Sequence, residues 1–310
     1  MKLLIRICVI VLIFTRAYTN GQDNFVEQRL DDGTPWLKTN NVKYNRVGIL
    51  AGTFIVGDIV GMLKLKETWY NEKKGKFHAL GWHDDIIRWK QMDKYGHTVH
   101  SSYASDLFSK SLRLCGFSAN NSIWGGSLMG WIWITQIEFA DGFFDRWGFS
   151  WGDLLGNTVG AGFSALRQYY PNSIGGLRLK VSYHVSQAFK NKEYYRKEVT
   201  YIDDYEGLTF WLSLNVYHVM PKKIKQVYPV WLRPFGIALG QSSKGVALHS
   251  HDGYREVFLS LDIDLTKIPL GPLDKSSFVR LVKDELNFLK IPMPTIRFTS
   301  TGTTFVGFYF

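Results

Sequence analysis

The chain has 310 residues, a formal net charge of +10, 45% hydrophobic and 15% aromatic residues, and a mean hydropathy of −0.10. This hydrophobic content excludes disorder, which needs low hydrophobicity with high charge. The near-zero mean argues against a polytopic helical membrane protein but admits a membrane β-protein, where apolar and polar residues alternate and cancel. Length permits one large domain or two modest ones.

Residues 1–21 read as a signal peptide. Lys2 and Arg6 precede an apolar run from Ile7 to Phe14, and Ala17, Thr19 and Gly21 lead to a cleavage site near Gly21/Gln22. The run is far short of the roughly 20 apolar residues that span a bilayer, so export is expected rather than anchoring. Processing removes Lys2, Arg6 and Arg16, leaving +7, and it removes Cys8. Cys115 then stands alone, so no intramolecular disulfide and no cysteine metal site are expected. Cys8 is followed by an uninterrupted apolar stretch, unlike a lipid-modified cysteine at a cleavage site.

Residues 22–171 show helical periodicity and residues 172–310 mostly alternate with period two. The charge divides at nearly the same place. Residues 22–176 carry 16 basic and 15 acidic side chains, and residues 177–310 carry 18 and 12. Val47–Leu63 predicts an apolar helix with Asp58 as its only charge; its Gly48, Gly52, Gly57 and Gly61 would let another helix approach closely. A Lys-rich loop at Tyr70–Lys76 precedes a helix running from about Asp84 or Asp93 to Ser109. Ser122–Phe144 is a third, very apolar helix. Ser150 and Asp153, spaced as in a capping box, open a fourth that Pro171 stops.

In the second half Leu177–Val185, Leu208–Val216 and Glu256–Leu265 alternate cleanly. Tyr228–Gly240, interrupted by Pro229 and Pro234, suits an edge or bent strand. Residues 277–290 predict an amphipathic helix, and Ile296–Phe310 a last strand with Val306, Phe308 and Phe310 on one face. Such an ending resembles the C-terminal strand of outer-membrane β-proteins. About five strands, six if Tyr194–Ile202 joins them, fall short of the eight that begin single-chain membrane barrels. The expected fold is therefore α+β: a hydrophobic helical bundle followed by an antiparallel, outer-membrane-type β-sheet or partial barrel, covered by the helices or completed by an oligomer.

Three helices carry polar stripes at helical spacing: Asp93, Lys94, His97 and Tyr103 (with His100), then Glu138 and Asp141, then Asp153 and Asn157, continued by Gly160. If the apolar surfaces pack together, these stripes converge. Asp93-Lys-Tyr-Gly-His97, Glu138-Phe-Ala-Asp141-Gly142 and Ser150-Trp-Gly-Asp153-Leu-Leu-Gly-Asn157-Thr-Val-Gly160 together resemble the YfiM-like family of envelope proteins, itself similar to the VanZ-like membrane proteins. The resemblance covers about residues 80–170. It implies an envelope location and a polar constellation, and no particular reaction. Departures from the relatives are the missing lipid-anchor cysteine, and the strand-rich half, since VanZ-like proteins are helical throughout.

Two readings of the polar residues stand side by side. In one they form an internal network that fixes the bundle. In the other His97, Glu138, Asp141 and Asp153 form a site, either a mixed nitrogen and oxygen metal centre or a carboxylate-tuned histidine base. Glu138, between Ile137 and Phe139, needs a partner in either case, with His97, Lys94, Arg146 and Arg167 as candidates. No Gly-rich phosphate loop or nucleophile elbow is present. Export makes nucleic acid an unsuitable counter-charge; outer-membrane lipid or lipopolysaccharide suits the basic strand half better. The expected role is a structural or interaction component of the outer membrane or its periplasmic face, with a protein partner or homo-oligomer, and the alternative is an envelope enzyme acting on lipid or cell wall.

Overall fold

The computed structural model describes residues 41–194 and 199–309. The expected signal peptide at 1–21, Cys8 and the terminal Phe310 lie outside them. Helices come first: α1 (Tyr44–Thr68), the short α2 (Trp82–Ile87), α3 (Met92–Cys115), α4 (Ala119–Asp141) and α5 (Trp151–Tyr169). The strand-rich half follows with β1 (Leu177–Tyr183), β2 (Leu208–Asn215), β3 (Phe235–Lys244), β4 (Tyr254–Ile263), α6 (Ser277–Leu286), β5 (Met293–Thr299) and β6 (Gly302–Tyr309). The fold is α+β, and all six strands run antiparallel in the order β1-β2-β3-β4-β5-β6.

Small residues set the spacing of the bundle, although not the ones expected. A Cβ placed on Gly48, Gly52, Gly57 or Gly61 of α1 meets nothing within 4 Å. These glycines face outward, and α1 contacts its neighbours through Val47, Leu50, Phe54 and Asp58 instead. Close approach occurs elsewhere. A Cβ on Gly130 would lie 2.4 Å from the Ser105 backbone nitrogen, and one on Gly160 2.1 Å from the Thr98 carbonyl oxygen, so α4 and α5 both pack backbone-close on α3. The seams are polar: Ser101, Ser105, Ser109, Ser122 and Ser164 are buried, while Trp124, Leu128, Leu155 and Val159 point outward. Asp58, the one charge between Val47 and Leu63, is buried and accepts from Trp133 Nε1 at 2.8 Å and from Gln136.

The sheet has the same inverted distribution. On β3 and β4, Phe235, Ile237, Leu239, Val257, Leu259 and Leu261 are exposed, whereas Ser242, Glu256, Ser260 and Asp262 are buried. Met92 and Val99 of α3 cover the apolar face only over Leu208 and Phe210, with Leu179 and Val181 beside them. The polar face is enclosed because the sheet curls. Five inter-strand steps of about 4.8 Å would hold the edges of a flat six-stranded sheet roughly 24 Å apart. Yet the ring of His184, one residue past β1, lies 5.7 Å from that of Tyr309 on β6, and Tyr309 stacks on Phe258 at 4.5 Å. Lys180 of β1 pairs across this interior with Asp262 of β4 at 2.8 Å. The sheet stays open; the outer edge of β1 is bridged at Val181 by Phe288 and Lys290 of the α6–β5 connection.

Several boundaries move for identifiable reasons. Pro229 and Pro234 precede β3 rather than bending it, because proline would forfeit a ladder hydrogen bond. The expected last strand is a hairpin, β5 and β6, and this supplies the sixth strand. Of Tyr194–Ile202, residues 195–198 lie outside the described set, and Tyr201–Asp203 forms a 3-10 turn. A bulge skips Val306 in the β5–β6 register, and Gly307 adopts φ 66°. Phe305 and Phe308 therefore both face outward, and the expected run of Val306 with Phe308 on one face is broken.

Candidate functional site

The expected convergence occurs at one end of the bundle, where α1 and α4 finish and α3 and α5 begin. The chain reaches α3 through a sharp turn in which Trp89, Lys90 and Gln91 all have positive φ (53°, 52° and 66°). Left-handed backbone costs about 1–2 kcal/mol per non-glycine residue. The turn is held by the sheet half: Trp89 N donates to Ser250 O at 2.6 Å, Lys90 Nζ to His251 O at 2.6 Å, and Gln241 Nε2 to Lys90 O at 3.2 Å. Its effect is to set Asp85 and Asp93 on either side of Lys94.

Lys94 Nζ lies 2.7 Å from Asp85, 3.1 Å from Asp153 and 3.4 Å from Asp93. Asp85, fully buried, also accepts from Ser150 Oγ at 2.7 Å and from Gly152 N at 2.8 Å. Ser150 in turn caps α5 by accepting from Asp153 N at 2.9 Å, as the capping-box spacing predicts. Gly152 packs against this ion pair: a Cβ would sit 2.8 Å from Lys94 Cε and 3.2 Å from Asp85 Oδ2.

His97 is oriented by α5. Its Nδ1 lies 3.1 Å from Asn157 Oδ1, while Asn157 Nδ2 donates to Thr135 Oγ1 at 3.3 Å. An amide oxygen only accepts, so Nδ1 carries the proton. Nε2 then faces Glu138 Oε1 at 3.3 Å and Asp93 Oδ1 at 3.8 Å. Glu138 is 1% exposed, and neither of its oxygens receives a hydrogen bond. Two phenols complete the cluster from outside the motifs: Tyr205 donates to Asp93 Oδ1 at 2.7 Å and Tyr70 donates to Asp141. Burial, and then the neighbouring carboxylates Asp93 and Asp141, push both phenols well above the usual tyrosine range, so they remain donors at physiological pH. A cavity of about 80 Å³, lined by Asp93, His97, Asp141 and Asp153 with Trp69 and Trp89 among its walls, opens beside these groups.

Most of the predicted residues meet here: Asp93, Lys94, His97, Glu138, Asp141, Asp153 and Asn157. Tyr103 does not; its ring packs on Phe288 at 4.4 Å, two turns of helix away, and His100 turns back to the Gly96 carbonyl. Of the partners expected for Glu138, His97 is the one it faces, and Arg167 instead pairs with Asp106 at 2.6 Å. Asp85, Tyr70 and Tyr205 were not foreseen. Asp85 belongs to a stretch whose chain reversal is invisible to periodicity, and the two tyrosines arrive from loops that only the tertiary fold brings near.

A second carboxylate cluster lies further along α3. Lys110 Nζ reaches Asp284 and Glu285 of α6 at 2.6 Å each and also pairs with Asp106. Arg178 of β1 pairs with Asp284 at 2.8 Å. This cluster joins the bundle to the strand half and borders a cleft of about 680 Å³ whose lining includes Arg178, Arg233, Lys267 and Lys275.

Fold and site together define an α+β protein whose helical module carries a buried carboxylate–histidine cluster. Residues 80–169, from just before α2 to the end of α5, match a family described as predicted periplasmic lipoprotein (DUF2279). The likeness of the helical module is thus to an envelope-associated family, and the match contains every cluster residue except Tyr70 and Tyr205. No curated protein and no solved structure matches the chain.

Proposed function

We propose that the chain is an outer-membrane component of the Gram-negative envelope with a structural or interaction role, its buried polar networks holding helices and sheet together. One observation carries this reading: apolar side chains such as Leu155, Val159, Leu239 and Leu261 line the outer faces of helices and sheet, while the interior, beside Trp211 and Phe258, buries Ser101, Ser105, Lys180 and Asp262, a distribution nearer to a lipid-facing β-protein than to a water-soluble core. The exposed Phe305 and Phe308 near the C-terminus and α1, which is long and apolar enough to cross a membrane, support it. Its partner is outer-membrane lipid or lipopolysaccharide, for which the basic lining of the larger cleft is a suitable counter-charge, and self-association of the open sheet remains part of the proposal. The motif likeness to YfiM-like and VanZ-like proteins points the same way. Carbonate washing of fractionated envelopes tests it: the mature chain stays with the outer-membrane pellet, and release into the soluble fraction overturns the reading.

A second reading, an envelope enzyme acting on a lipid or cell-wall substrate, is favoured by the cavity beside His97, Glu138, Asp141 and Asp153. Under it, Glu138→Gln and Asp153→Asn leave abundance and folding intact yet abolish a cellular phenotype. Loss of folding in both variants favours the network role instead.

A further inference from the structure

The two carboxylate clusters differ in what fills them. Around Lys110, three carboxylates (Asp106, Asp284, Glu285) meet three cations (Lys110, Arg167, Arg178), and the ammonium sits among all three acids. At the other cluster Asp85, Asp93, Glu138, Asp141 and Asp153 are joined by one ammonium, Lys94, which lies on the Asp85 side. Five carboxyl groups thus share a single ammonium. His97 Nε2, the two oxygens of Glu138, which accept no hydrogen bond, and Asp93 Oδ1, to which only the neutral phenol of Tyr205 donates, face one another. Buried carboxyl oxygens and an imidazole nitrogen held in this way call for a positive centre.

We propose that this position is a divalent metal-ion site with His97 Nε2, Asp93, Asp153 and Glu138 as its ligands. One ligand atom from each of Asp93, His97 and Asp153 lies within 4.8 Å of the others, the separation expected of donors around a common ion. Glu138 supplies the independent observation: it is almost completely buried, its oxygens accept no hydrogen bond, and Oε1 lies 3.3 Å from His97 Nε2. Asn157, by holding Nδ1, fixes the tautomer that presents Nε2, the usual outer-shell task at a histidine ligand. Tyr205 orients Asp93, and Tyr70 occupies Asp141, which leaves Asp141 outside the ligand set. One nitrogen with three carboxylates suits Mn²⁺, Fe²⁺ or Zn²⁺ better than Mg²⁺ or Ca²⁺, which take oxygen alone. The site goes beyond membrane placement and does not depend on it; the ion would serve the enzyme reading but equally a structural one.

The test uses the full processed chain purified in detergent, stripped with chelator and titrated separately with Mn²⁺, Zn²⁺, Mg²⁺ and Ca²⁺. Retained metal is measured by mass spectrometry and stability by thermal unfolding. About one Mn²⁺ or Zn²⁺ per chain is retained, the midpoint rises with added ion, and Glu138→Gln and His97→Gln each lower the affinity at least tenfold. Asp284→Asn, in the Lys110 cluster, leaves metal binding unchanged. Absence of stoichiometric metal and of any midpoint shift in the wild-type chain overturns the proposal, as does undiminished binding in Glu138→Gln and His97→Gln. If those variants fail to fold, the stripping and re-addition experiment on the wild-type chain decides alone. None of these outcomes depends on the fraction in which the protein is found, so the failure of the site and the failure of the membrane reading are separable.

Discussion

The two carboxylate clusters hang on the same helix and are built for opposite ends. Asp93 and His97 sit in the first turns of α3, and Asp106 and Lys110 lie about 20 Å further along it at 1.5 Å per residue. In the second cluster the chain supplies its own cations, and the result is a clamp between bundle and sheet. In the first, the chain gathers acids from α2 through α5 and provides one lysine. The contrast teaches that a cluster of acids is informative only through its counter-charges: balanced, it is mortar; unbalanced, it points to a ligand.

The sharpest way to break this comparison is to remove one charge from each cluster. Lys110→Met removes the ammonium shared by Asp106, Asp284 and Glu285 and should cost about 3–5 kcal/mol, the range for breaking a buried pair from one side, measured by denaturant unfolding in detergent. Glu138→Gln, in metal-stripped protein, replaces a buried carboxyl that accepts no hydrogen bond with an amide of the same shape and should leave stability unchanged or raised. Equal, large losses in both variants would mean that both clusters are clamps.

A smaller effect is expected from a wedge placed between them. Gly160 faces the Thr98 carbonyl, one residue past His97 on α3. Gly160→Val should cost about 1–3 kcal/mol by overpacking, and should also weaken metal retention by shifting Asp153 and Asn157 relative to His97. Destabilisation with metal retention intact would show that the cluster tolerates movement of α5.

The smallest effect belongs to a position remote from both clusters. Leu239→Ser, on the exposed face of β3, should change stability in detergent by no more than about 0.5 kcal/mol, while lowering partition into lipid vesicles. A variant that partitions normally would argue against lipid contact at β3.

Much of the site was legible because helical spacing is rigid. His97, Glu138, Asp153 and Asn157 were readable as a constellation since residues three, four or seven apart share a face whatever the helix packs against. Tyr103 misled for the complementary reason: a stripe longer than two turns extends beyond one cluster, and its far end met Phe288. The glycines of α1 misled as well. Small residues permit close approach but do not compel it, and only the placement of Phe54 and Asp58 against Trp133 shows which face of α1 turns inward. On α5, Gly152, Gly156 and Gly160 form the ridge that does pack closely, a regular four-residue repeat present in the sequence.

Local periodicity by itself determined the order of elements, the change from helix to antiparallel strand, and the polar stripes, because these depend on 3.6- and 2-residue repeats that need no distant partner. The tertiary structure alone decided which face of each element is buried. Alternation is symmetric: Ile237, Leu239, Ser242 and Ser260 satisfy a sheet packed on its apolar side and a sheet curled around its polar side equally well. The choice was made by contacts far apart in the chain, Lys180 with Asp262 and His184 with Tyr309, which curl the open sheet around its polar face and leave the apolar face outward.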